Sequence, residues 1–153
     1  MITVIDNRIT NIFLLGVYML EQYPEELKYS ESHQWVRVVD GGSHALVGIT
    51  AYANQKLGDM VCVDLPELGI DIDASEEIGL LESSQNDWEL YSPVSGEIVA
   101  VNEDLEDAPR LINSDPYTDG WICKIKLFDP EEVEELMSSE DYQEFLSTIE
   151  EDE

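Results

Sequence analysis

Basic residues are scarce in this chain. Only 7 Lys and Arg stand against 35 Asp and Glu in 153 residues, a formal net charge of −28. A surface that acidic repels phosphate backbones and anionic headgroups, which argues against nucleic acid and membrane surfaces as partners and favours proteins with basic faces. Histidine and cysteine are sparser still: His33 and His44, Cys62 and Cys123, with no CxxC pair. A Cys/His metal site would have to be assembled from scattered residues, so two reduced, buried thiols in a cytoplasmic protein are expected instead. The N-terminal apolar run Ile12–Leu20 has nine residues, whereas a bilayer takes about 20. Asp6 offsets Arg8, and the run ends in Glu21-Gln22-Tyr23-Pro24, which is not the pattern of a signal or transit peptide. There is no GxGxxG and no Walker A motif, and no Ser or Cys is legibly paired with a base. The densest acidic cluster of the body, Asp71/Asp73/Glu76/Glu77, lacks the spacing and glycine of a calcium loop and reads as a solvated loop.

The apolar fraction is ample. Hydrophobic residues make up 43% and aromatics 8%, enough for one packed domain. Trp35–Val39 and Ala45–Ile49 read as strands joined at Asp40-Gly41-Gly42. Thr50 is placed to cap a helix over Ala51–Leu57 that Gly58 ends. Val61, Val63 and Leu65 alternate with Cys62 and Asp64 as a strand that Pro66 stops. Ile78–Leu81 and Leu90–Tyr91 predict two short strands around a polar stretch, Glu82–Glu89. Ile98–Val101 and Trp121–Leu127 predict two more, with a loop between them. The tail predicts two helices, one opened by Asp129-Pro130 and one by a Ser138/Asp141 capping box. Val133, Leu136 and Met137, then Tyr142, Phe145, Leu146 and Ile149, give them apolar faces for packing on the body. From Asp129 to Glu153 there are 12 acids and no Lys or Arg; residues 150–153 are expected to be a loose acidic tail. Gly58–Asp64 matches Gly96–Asn102 at an offset of 38, in the pattern G-[acid]-x-V-x-V-[D/N]. That repeat predicts two related half-sheets.

The most informative segment runs from Leu80 to Ile98. Two apolar strands flank a short polar tip, an arrangement that presents one side chain well clear of the body. Together with Leu27-Lys28-Tyr29, Ser32-His33-Gln34-Trp35-Val36-Arg37, Val47-Gly48-Ile49-Thr50, Leu65-Pro66-Glu67-Leu68-Gly69, Tyr91-Ser92-Pro93-Val94-Ser95-Gly96-Glu97, Asn113-Ser114-Asp115-Pro116-Tyr117 and Gly120-Trp121-Ile122-Cys123-Lys124, it resembles the H protein of the glycine cleavage system. The likeness is collinear over residues 27–149. It implies a mainly β fold of the lipoyl/biotinyl type: a barrel-sandwich hybrid of two related half-sheets, a short helix after the first hairpin and C-terminal helices. It implies a non-catalytic carrier, expected to be monomeric and cytoplasmic, whose partners are glycine decarboxylase, aminomethyltransferase, dihydrolipoyl dehydrogenase and lipoate-attaching enzymes. Residues 1–26 form an N-terminal extension on this reading, with Met19 as an alternative start.

The departures from the family pattern bear on function. The family sets its lipoyl-accepting lysine in an E-S-V-K-A hairpin. Here Glu82 and Ser83 match, Ser84 replaces the apolar residue, Gln85 replaces the lysine and Asn86 replaces the small residue. The lysines are Lys28, Lys56, Lys124 and Lys126, and none lies between residues 57 and 123. No lipoyl cofactor is therefore expected. The family's His-Glu-Trp is His33-Gln34-Trp35 here, next to Ser32. The family glutamate belongs to the cleft that shelters a cationic arm, and neutral glutamine stabilises a cation less. Asp87 completes the hairpin candidates, and Glu89 keeps an acid where the family has one. Trp88 stands where the family has a small residue. Its ring is either a partner anchor or packs back onto the sheet, and the sequence leaves both open.

Overall fold

The structure is a computed structural model and describes residues 22–151. The Ile12–Leu20 run, the Met19 start and the final Asp152 and Glu153 lie outside the described residues. Two antiparallel sheets form the body. The larger has six strands in the order β1-β2-β3-β9-β8-β5, and the smaller has three in the order β4-β6-β7. The strands are β1 Lys28–Tyr29, β2 Gln34–Val39, β3 His44–Ile49, β4 Met60–Asp64, β5 Asp71–Ile72, β6 Glu77–Ser83, β7 Asp87–Tyr91, β8 Gly96–Val101 and β9 Cys123–Leu127. The helices are α1 Ala51–Leu57, α2 Asp104–Asp107, α3 Leu111–Ser114, α4 Glu131–Glu134 and α5 Ser139–Glu151.

The local signals act as their chemistry requires. The Thr50 hydroxyl accepts from Ala53 N–H at 3.3 Å and caps α1. Gly58 ends the helix at φ 85°, ψ −161°, a region nearly confined to glycine. Asp129 accepts from Glu131 N–H at 3.0 Å, and Ser138 accepts from Asp141 N–H at 3.2 Å. Helix α5 continues through Glu151, so residues 150 and 151, expected in a loose tail, are helical instead. The loop expected between β8 and β9 carries two single-turn helices, α2 and α3, which bury Leu105 and Ile112.

Val47, Ile98 and Ile125 of the large sheet meet Val63, Leu81 and Leu90 of the small one in the main core. A second, aromatic cluster packs Tyr23, Tyr29, Trp35, Tyr52 and Tyr142 between β1, β2, α1 and α5. It fixes the C-terminal helices on the body: Tyr29 and Tyr142 stack at 4.8 Å, and Tyr29 and Met137 exchange backbone bonds, each 2.9 Å.

The sequence repeat is structural. Strands β4 and β8 occupy different sheets, and each carries an irregularity at the same place in the motif, Met60/Cys62 in one and Ile98/Ala100 in the other. The extra residue is Val61 in one copy and Val99 in the other, and both face solvent. A bulge advances the side-chain alternation by one residue. For that reason the strict alternation expected of β4 fails: Met60 and Val63 are buried, Val61 is 63% exposed, and Cys62 is exposed rather than buried. Cys123 is buried as expected, and burial pushes its thiol up to about 12.

Candidate functional site

Strands β6 and β7 extend further toward each other than the apolar residues indicated, and the projecting tip is only Ser84-Gln85-Asn86. Ser83 organises it. Its hydroxyl oxygen lies 2.7 Å from Asn86 O and contacts Leu57 O, while Gln85 N–H and Asn86 N–H donate to it at 3.3 and 3.0 Å. The tip is also tied to the end of α1. Ser84 N–H donates to Asp59 O at 2.9 Å, and Asn86 Nδ2 donates to Lys56 O at 3.0 Å. The exposed Gln85 side chain lies over Gly58, close enough that a Cβ built there would be 3.1 Å from its Cγ and Cδ.

The expected site residues form two groups. Glu82, Ser83, Ser84, Gln85 and Asn86 belong to the tip and its contacts with the α1–β4 junction. Ser32, His33, Asp87, Trp88 and Glu89 instead line an open cleft of about 520 Å3, shared with Leu80 and Tyr91. Trp88 is half-buried against the main core, and its ring centroid is 5.9 Å from that of His33. The indole packs back onto the fold and forms one wall of the cleft. The Tyr91 hydroxyl donates to Glu89 and aligns that carboxylate.

Gln34 lies behind the cleft, fully buried. Its Oε1 accepts from Ser30 Oγ at 2.9 Å and from Ser32 Oγ at 2.5 Å, while Nε2 has no hydrogen-bond partner. His33 sits at φ 68°, a left-handed conformation that turns its ring inward. Its Nδ1 is 2.7 Å from the Tyr142 hydroxyl, which is 2.8 Å from Thr50 Oγ1. Tyr52 and Phe145 complete the ring's surroundings at 4.6 and 6.1 Å. Burial lowers the His33 pKa to about 4, so the imidazole is neutral at physiological pH. Tyr52, Tyr142 and Phe145 were not among the expected site residues. The aromatic positions on α5 were the available signal, but a helix stripe does not say which strand it meets.

The match to known proteins covers this whole frame. The family model for the glycine cleavage H-protein matches residues 27–149. The chain belongs to the glycine cleavage H-protein family. It is 48% identical over 133 residues to the glycine cleavage system H protein of Pseudoalteromonas translucida, covering 87% of this chain and all of that one. It is 51% identical to H protein 4 of Aquifex aeolicus, over 82% of this chain and 72% of that one. The crystal structure of the H protein from Mycobacterium marinum superposes with a TM-score of 0.74 at 34% identity, covering 81% and 98% of the two chains. H proteins are lipoyl carriers of glycine cleavage rather than enzymes, built on the lipoyl-type barrel-sandwich fold. The residues at this tip do not fit a covalently held lipoyl group. The Gln85 carboxamide has no free amine, and the hairpin itself contains no lysine. Among the described residues, no group of His, Cys, Asp and Glu is arranged to hold a metal ion. No helix among them is long and apolar enough to cross a membrane.

Proposed function

We propose that this H-protein relative is not lipoylated and acts as a scaffold or regulator, binding partners in glycine cleavage or a related lipoate pathway. The supporting observation is chemical. Gln85 stands at the exposed apex of the hairpin, where the family resemblance puts the acceptor lysine. Lipoyl attachment forms an amide on a lysine amine. The nitrogen lone pair of a carboxamide is delocalised into its carbonyl, so Gln85 cannot attack an activated acyl group. The nearest lysines in sequence, Lys56 and Lys124, lie outside the hairpin. On this reading the protein is a cytoplasmic monomer. Its partners are glycine decarboxylase, aminomethyltransferase, dihydrolipoyl dehydrogenase or the enzymes that attach lipoate.

A second reading is a repurposed binding module that uses the acidic face and the Gln85–Trp88 hairpin. Its support is the number of changes made together: Ser84, Gln85, Asn86 and Trp88 all depart from the family pattern, and Asn86 adds a tie to Lys56 O. Expression in a lipoate-competent host followed by intact-mass measurement tests the first element of both readings. The expected mass is that of the bare chain, and a lipoyl adduct on any lysine would overturn it. Co-purification separates the two. Recovery with the glycine cleavage enzymes supports the scaffold, and their absence beside another stable partner supports the repurposed module.

A further inference from the structure

Strand β7 is an edge strand, because the smaller sheet runs β4-β6-β7. The ladder determines which of its backbone groups face the open side. At one end Ser83 N–H donates to Asn86 O at 3.0 Å, and at the other Ser92 N–H donates to Glu76 O at 2.8 Å. Between them the register is Glu82↔Asp87, Leu81↔Trp88, Leu80↔Glu89 and Gly79↔Leu90. Antiparallel ladders alternate bonded and non-bonded pairs. Trp88 and Leu90 therefore pair with β6, while Asp87, Glu89 and Tyr91 turn their N–H and C=O groups outward. Among the described residues, no other backbone group bonds to those outward groups.

This open edge forms one side of a groove. The turn at Ser30–His33 stands opposite, and two clefts between them share Ser32 and Tyr91. They hold about 520 and 500 Å3, each the size of a ligand cleft. Glu31, Asp87, Glu89 and Glu135 line the pair, and no Lys or Arg does. The half-buried Trp88 ring supplies an apolar wall at one end. A second copy of this chain is a poor occupant, since it would set acids against acids along an edge of a protein with net charge −28.

We propose that the free edge of β7 binds an extended, basic segment of a partner protein. The segment adds as a fourth strand to the β4-β6-β7 sheet and sets Lys or Arg side chains against Asp87 and Glu89. Main-chain bonds to the Asp87, Glu89 and Tyr91 amides supply affinity, and the two carboxylates supply the preference for cations. The edge exists whatever residue 85 carries, so this goes beyond the scaffold reading and stands or falls separately from the mass measurement.

The test uses the full 15N-labelled chain and the peptide acetyl-Lys-Val-Lys-Val-Lys-amide, at low and at physiological salt. Before any peptide is added, the amides of Asp87 and Glu89 should exchange with solvent much faster than those of Trp88 and Leu90. Titration should be saturable, shift the Asp87, Glu89 and Tyr91 amides most, and slow their exchange about tenfold or more. Two analogues N-methylated on alternate residues discriminate further. Strand addition requires that one set of methyl groups abolish binding while the other leaves it intact. Asp87→Asn combined with Glu89→Gln should weaken binding about tenfold, and a Glu-Val-Glu-Val-Glu peptide should not bind. No binding, equal binding of both methylated analogues, or shifts spread over the whole acidic surface would overturn the proposal.

Discussion

Lowering the pH from about 7 to about 4.5 should cost this protein stability through His33. In the folded chain the ring is packed among Tyr52, Trp88, Tyr142 and Phe145, and burial lowers its pKa to about 4 from an ordinary value of 6.5. The unfolded chain therefore binds a proton between pH 6.5 and 4 that the folded chain refuses. The stabilisation is fully present above pH 6.5 and is lost progressively as the pH falls toward 4. At 1.36 kcal/mol per pKa unit the full shift corresponds to roughly 3 kcal/mol. The ring is partly exposed, so solvent screening reduces this to about 2 kcal/mol, or about 4–8 °C in Tm for a chain of this size. Protonation of the many carboxylates acts in the opposite direction by relieving self-repulsion, so a single melt cannot isolate the histidine. The comparison is with His33→Asn, since asparagine tolerates the left-handed backbone that His33 adopts at φ 68°. Urea unfolding of both proteins between pH 7 and 4.5 gives the difference, and an NMR titration of the His33 ring gives its pKa directly. The variant should be less stable at pH 7, and the gap should close by about 2 kcal/mol at pH 4.5. A gap that stays constant with pH, or a ring that titrates near 6.5, would refute the reasoning.

Gly58→Ala should cost about 1–3 kcal/mol, because the residue would be forced into a region almost confined to glycine. In thermal melts most of that loss should persist in a Gln85→Ala background; if it vanishes there, contact with the Gln85 side chain and not the backbone is the cause. Gln85→Lys with Ser84→Val and Asn86→Ala should create a lipoylation target readable by intact mass. If that variant gains the group only when Trp88→Ser is added, the indole blocks the modifying enzyme; if no variant is modified, the hairpin has been rebuilt. Added salt should raise the melting temperature, since the tail's twelve acids and an acidic body repel one another through water that salt screens. A melting temperature indifferent to ionic strength would contradict that account.

Much of the fold was legible because local chemistry and long-range packing agree in it. Thr50 and Gly58 bound α1 as their side-chain chemistry requires, and the Gly58–Asp64 repeat of Gly96–Asn102 corresponds to related strands in different sheets. What escaped were features set by contacts distant in sequence. The phase of β4 could not be read, because a bulge is decided by the partner strand: the same G-[acid]-x-V pattern is compatible with Val61 pointing either way. The helices in the β8–β9 loop are single turns, too short to show a period. The resemblance picked out the tip residues and Ser32, His33 and Gln34 together. Only the structure separates a tip pressed on Gly58 from a cleft lined by Trp88 and His33. The role of Tyr142 depends on a helix more than a hundred residues from His33, and no spacing rule reaches that far.

The place of β9 in the large sheet also constrains how the protein is made. The last strand to be synthesised lies between β3 and β8, pairing with both. Until Leu127 has left the ribosome the sheet exists only as two separate pieces. The β2–β3 hairpin carries an open inner edge, and so does β8. The aromatic cluster must wait longer still, because Tyr142 follows β9. The inner edge of β3 thus stays unpaired from residue 49, and that of β8 from residue 101, until β9 is made. The first 128 residues already carry a strong negative charge, and like charge on two chains disfavours edge-to-edge pairing before the closing strand is made.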